Sequence, residues 1–109
     1  MRELTKAEKK QTKELLKKGI LRRHAEWHSE MRALLDRPFD SEIGNEYDRS
    51  MMITDKARKF YKEAMQMEDF YNNTMLLTGL GHLYLRGYLT AEDITCLPDD
   101  LRHCVENHQ

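Results

Sequence analysis

Cysteine, proline, glycine and β-branched residues are all scarce in this chain, and each scarcity excludes something. Two cysteines, Cys96 and Cys104, are too few for the disulfide framework that staples a small secreted domain, and they suit a reducing compartment. Two prolines and five glycines leave little material for the many turns of a sandwich or barrel. One valine and four isoleucines stand against 14 leucines, seven methionines and six alanines, so helix formers greatly outnumber strand formers. The opening MRELTKAEKK lacks the apolar core of a secretory leader, and a cytoplasmic location is the expectation. Catalytic signatures are missing as well. The sequence holds no Gly-rich phosphate loop, no G-x-S-x-G and no nucleophile with a local base. We therefore expect no enzyme, no cofactor and no small-molecule substrate.

What the chain does have is one long apolar run in a sequence that is 34% charged. From Phe70 to Leu85 there is no Lys, Arg, Asp or Glu. Met75, Leu76, Leu77, Leu80, Leu83, Tyr84 and Leu85 cover most of a helical wheel, which marks a helix buried on nearly every side. A membrane span needs about 20 apolar residues; this run is shorter and contains Asn72, Asn73, two threonines and two glycines. It reads as a central core helix over about 74–86, with no role for a membrane. Thr74, Thr78 and Gly81 form a strip of small residues that predicts a close helix crossing. Gly87 before Tyr88 reads as the glycine that closes the helix, and Thr90 with Asp93 as a capping box that opens the next turn. The end of the run, HLYLRGYLTAEDI, resembles the C-terminal helix–turn–helix of bacterial SHOCT-type modules in Leu85, Gly87, Leu89, Thr90, Glu92 and Asp93. That resemblance implies an interaction role.

The remaining segments are amphipathic. Thr5 and Glu8 form a second capping box, which starts a helix. Leu4, Ala7, Gln11 and Leu15 share one face of it. Farther on, Leu16, Ile20, Trp27, Met31 and Leu34 share a different arc. The change of face predicts a kink or break near Gly19, with a second segment that ends before Pro38 because helix is disfavoured at the residue preceding proline. Residues 37–45 form a loop whose Phe39 and Ile43 tuck into the core edge. Asn45 and Asp48 offer a helix start. From there Ile53, Ala57, Phe60, Ala64, Met67 and Tyr71 make a heptad-like seam. Asn72-Asn73 either interrupts the chain or is bridged by one helical unit over 46–86. A last helix follows Pro98, with Asp99 and Asp100 in its first turn. The expectation is a single all-α domain, residues 1–109: a small bundle of four to five helices around the central apolar helix.

Three groups of residues are candidates for function. Met51, Met65 and Phe70 lie off the main seam, more apolar surface than one seam uses; methionine adapts to irregular partner surfaces. They predict a small protein-interaction or regulatory module, with a second copy of the chain as the expected partner. Lys6, Lys9, Lys10, Lys13 and Lys17 form a cationic stripe, which points to nucleic acid as the alternative partner. Residues 1–37 carry a net charge of +5 and residues 38–109 a net charge of −6, so either the halves dock on each other or the N-terminal arm meets an acidic partner. His24 and His28, one helical turn apart, are the weak candidates for a metal. Glu26 is misplaced for H-E-x-x-H, and no third ligand is evident, so no metal is expected.

Overall fold

The computed structural model describes residues 2–108. They form four helices: α1 (Lys6–Asp36), α2 (Glu46–Glu68), α3 (Leu76–Leu85) and α4 (Asp99–Glu106), with 3-10 turns at Asp69–Tyr71 and Asp93–Cys96. There is no strand among the described residues. The molecule measures 55 × 24 × 22 Å. A helix of 31 residues is about 46 Å long, so α1 accounts for most of the long axis.

One end is a compact head. Leu15, Leu16 and Ile20 of α1 meet Met67 at the end of α2, with Leu76, Leu80 and Leu83 of α3 between them. Leu89, Ile94, Leu97, Leu101 and Val105 close the far side. Helix α3 covers Leu76–Leu85, shorter than the expected 74–86, and packs against both α1 and α4. The other end is an arm in which the rest of α1 and most of α2 form a two-helix hairpin. Few of its side chains are fully covered; Leu34, Ile43, Arg49 and Phe60 are the main ones.

This two-part shape explains the rotating face of α1. Its first half packs on α3 and its second half on α2, so the apolar arc turns to follow its neighbours while the helix runs unbroken through Gly19. No break occurs there. Gly19 is buried instead, where a Cβ would lie 2.9 Å from Leu83 Cδ1. The single unit over 46–86 is interrupted: Asn72 ends the 3-10 turn, and its side chain accepts from the Thr74 N–H at 3.1 Å.

The caps follow the sequence closely. Thr5 Oγ1 accepts from Glu8 N–H at 3.1 Å, and Glu8 accepts from Thr5 N–H at 2.8 Å. Asn45 accepts from Asp48 N–H at 2.9 Å. Thr90 and Asp93 exchange backbone-to-side-chain bonds of 2.8 and 3.2 Å around the second 3-10 turn. Gly87, at φ +84, takes the left-handed conformation that glycine adopts cheaply. Its N–H bonds Tyr84 O, and that of Tyr88 reaches back to Leu83 O, the paired bonds of a Schellman closure.

The small-residue strip is corrected in part. Thr74 and Thr78 are exposed, so no helix crosses there. The close approaches fall at Gly79, against Phe70 and Leu16, and at Gly81, against His108. Phe39 is also half-exposed rather than tucked in, and its ring lies 4.8 Å beneath the Arg49 guanidinium.

Candidate functional site: the outer face of the hairpin arm

The arm is fastened at both ends by arginine. Arg49, buried on α2, donates to the carbonyls of Leu34, at 3.1 Å, and Leu35. Those carbonyls lie in the last turn of α1, which has no basic residue of its own. A guanidinium there satisfies orphan acceptors and meets the negative end of the helix dipole. At the head end, Arg23 bonds Glu63 at 2.7 Å, and Arg86 of the loop after α3 bonds the same carboxylate at 2.9 Å. Burial works to raise the Glu63 pKa, but the two guanidiniums outweigh it and hold the carboxyl below its ordinary range. Between these clamps Phe60 is the keystone: Trp27 stacks on it at 4.7 Å, His24 meets it edge-on at 5.0 Å, and Arg23 covers it at 5.0 Å.

The seam predicted on α2 is the face turned to α1. Phe60 and Met67 are buried, and Ile53, Ala57, Ala64 and Tyr71 are half-buried. A second stripe was only partly legible. Tyr47, Met51, Tyr61 and Met65 are 70, 50, 66 and 51% exposed. With Thr54 and Arg58 between them they recur at steps of four and three residues, so all six fall within an arc of about 80° at 100° per residue. Two of the three predicted partner-binding residues, Met51 and Met65, belong to this stripe. Phe70 does not: it packs against the core beside Gly79 and lies 5.4 Å from the His82 ring. The tyrosines were missed as site residues, although the spacing that joins them to the methionines was in the sequence.

The lysine stripe is also assembled. Lys6, Lys9, Lys10, Lys13 and Lys17 line one groove with Glu14, Tyr71 and Asn73. Among the described residues none of the five has a carboxylate within 4.0 Å, while Lys18 and Arg22 both bind Asp93, at 2.9 and 2.6 Å. Arg22 and Arg23 are therefore engaged within the fold and do not extend the stripe. The Asp93 carboxyl sits well below its ordinary range, through Arg22 first and then the Thr90 N–H and Lys18, against the opposing effect of burial.

His24 and His28 do not converge with further ligands; among the described residues no group of three His, Cys, Asp or Glu is placed to hold a metal ion. Among the described residues no helix is long and apolar enough to cross a membrane. Comparison with protein-family models, with curated proteins and with solved structures returned no match, so the SHOCT-type resemblance finds no counterpart there.

Proposed function

We propose that this protein is a protein-interaction module whose docking element is the α1–α2 arm, and that it self-associates through it. One observation carries the reading: four large apolar side chains stand exposed in a single row on a helix whose opposite side already packs on α1. Scattered exposed apolar residues are ordinary, but two tyrosine–methionine pairs in line on one helix face, with Thr54 and Arg58 between them, mark an interaction surface. Sedimentation across a wide concentration range tests it. The mass should rise with concentration in the wild type and stay monomeric in Met51→Glu/Met65→Glu at unchanged helicity. A wild type that remains monomeric throughout overturns the reading.

A second reading is supported by the five lysines that share a groove without carboxylate partners. Each phosphate neutralised on duplex DNA steepens the salt dependence of binding by about 0.9, so five contacts give a slope of about −4.5 in log K against log salt. Fluorescence anisotropy with a labelled duplex at low and moderate salt tests this. Absence of binding at low salt, or binding unchanged by reversing the five charges to Glu, removes it.

A further inference from the structure

Resting on the proposal that the arm self-associates, we infer that two copies dock by their α2 helices antiparallel, about a two-fold axis level with Lys56. The reason is that reversing the exposed stripe exchanges its tyrosines with its methionines. Counted outward from position 56, Thr54 mirrors Arg58, Met51 mirrors Tyr61 and Tyr47 mirrors Met65. A two-fold interface uses the same patch on both copies, so residue i must suit residue j and j must suit i. Antiparallel pairing places each exposed tyrosine against a methionine of the second copy, four such contacts in all. Sulfur–aromatic contact is favourable and methionine adapts to the ring. Parallel pairing would instead set tyrosine on tyrosine, methionine on methionine and Arg58 on Arg58.

The borders of the stripe agree. On one side exposed Ser50 and half-buried Ala57 and Ala64, which edge the seam with α1, recur every seven residues, and such small side chains let another helix come near. On the other side Asp48, Asp55 and Lys62 recur with the same period. Antiparallel docking brings Asp48 to within two residues' rise, about 3 Å along the axis, of Lys62 of the second copy, twice over. Asp55 falls beside the axis near its own counterpart, and each Asp55 already carries Lys59 at 3.1 Å.

Area favours a second copy over a lone helical peptide. The stripe is about 27 Å long and one helix about 10 Å wide, so α2 alone offers a footprint of about 270 Å². A stable interface needs about 800 Å² of accessible surface on each partner, which calls for both helices of the arm. The Arg23–Glu63 pair and a groove that joins Glu30, Ala33 and Arg37 to Lys56 mark one flank of the hairpin. Exposed Leu21 and Leu35 of α1, and the groove lined by Ile53, Thr54, Ala57, Arg58, Tyr61 and Lys62 on α2, lie outside that flank. A second copy brings a matching two-helix flank and gives an antiparallel four-helix arrangement.

Cysteine cross-linking tests the register in a Cys96→Ser/Cys104→Ala background. Met51→Cys and Tyr61→Cys chains, mixed under mild oxidation, should form a disulfide heterodimer in large excess over either homodimer. Two copies of position 51 would lie about 15 Å apart along the axis, beyond the roughly 7 Å Cα separation that a disulfide spans. A Tyr47→Cys and Met65→Cys mixture repeats the test should the first pair lose helicity. Efficient cross-linking of Met51→Cys with itself, or a wild-type dimer in which neither mixture cross-links, overturns the register and leaves self-association standing. A wild-type chain that sediments as a monomer at every concentration overturns both.

Discussion

Gly79→Ala tests whether the head is packed as described. Gly79 lies where α3, the 3-10 turn after α2 and α1 meet. A Cβ there would fall 2.6 Å from both Cβ and Cγ of Phe70 and 3.0 Å from Leu16 Cδ2. The Phe70 atoms are at the root of the side chain, so a rotamer change does not relieve the clash; the turn itself has to move. Overpacking of this kind costs about 1–3 kcal/mol. Replacing a mid-helix glycine by alanine returns about 1 kcal/mol through backbone entropy. The net expectation is a destabilisation of about 1 kcal/mol. Gly81→Ala is the matched control on the same helix, with the same propensity gain. Its obstacle is His108, which follows α4 and is held by a backbone bond of 3.4 Å to Val105. A residue just past a helix end, held by one long backbone bond, moves aside more cheaply than a turn between two packed helices. Gly81→Ala should therefore be neutral or stabilised by up to about 1 kcal/mol. At about 4–8 °C per kcal/mol for a domain of this size, Gly79→Ala should melt about 5–15 °C below Gly81→Ala. Thermal and urea unfolding followed by far-UV circular dichroism give both values. If Gly79→Ala is as stable as Gly81→Ala, the packing at Phe70 is not as described.

Other perturbations address the clamps. Arg49→Met leaves the Leu34 and Leu35 carbonyls without their donor and should cost about 1.5–3 kcal/mol, the range for hydrogen bonds to a charged group; urea unfolding read by Trp27 fluorescence measures it. Asp93→Asn removes the anion shared by Lys18 and Arg22 and should cost about as much by the same mechanism, while Glu92→Gln, one residue away and exposed, should be neutral. Glu63 and Asp93 are held below their ordinary range and Glu8 is lowered to about 2 by Arg2 and the Thr5 N–H. Their folded forms release protons more readily than the unfolded chain, so their stabilisation is complete above the ordinary carboxylate range and lost as pH falls through about 4 to 2. His82 is lowered chiefly by burial and then by Arg86 and His108. Its contribution is therefore complete above about 6.5 and declines as pH falls below that value. Melting temperature against pH should show both limbs, and His82→Asn should remove only the upper one.

Much of the fold was legible because it rests on local chemistry. Both capping boxes, the Asn45 start, the Gly87 closure and the stop before Pro38 depend on side chains within a few residues of the backbone they satisfy, so spacing alone specifies them. The errors are of another kind. The rotating apolar arc of α1 looks the same whether the helix breaks at Gly19 or runs on and changes partners, and only tertiary contacts distinguish the two. Gly19 then has a packing role, under Leu83 and Leu89, where a helix end was expected. The small strip failed for a similar reason: Thr78 and Gly81 share a face of α3, but the short final helix reaches only the Gly81 end of it. At the candidate site the methionines were visible as surplus, while Phe70 belongs to the 3-10 turn after Glu68 and packs, partly buried, against the core. Arg49 was not legible at all, since its partners are carbonyls 14 and 15 residues earlier.

The division into head and arm gives the interaction proposal a dynamic consequence. Stability in a helical protein comes mainly from burial of amphipathic faces against other elements, since isolated helices are marginal. In the head, all four helices and the second 3-10 turn contribute to one core of twelve buried residues. In the arm, two helices share a single seam whose closure relies on Phe60, Leu34, Ile43 and the Arg49 cap. Regions with little buried apolar contact open locally at a free energy below that of global unfolding. Amides of α1 beyond Trp27 and of the first half of α2 should thus exchange with solvent faster than those of α3 in dilute protein. A second copy bound to the arm protects it by mass action, so raising the concentration through the dimer transition should slow exchange in the arm and leave α3 unchanged. Arm amides that exchange as slowly as those of α3 at every concentration would show that the hairpin is stable on its own seam. The exposed tyrosines and methionines would then have no part in holding it.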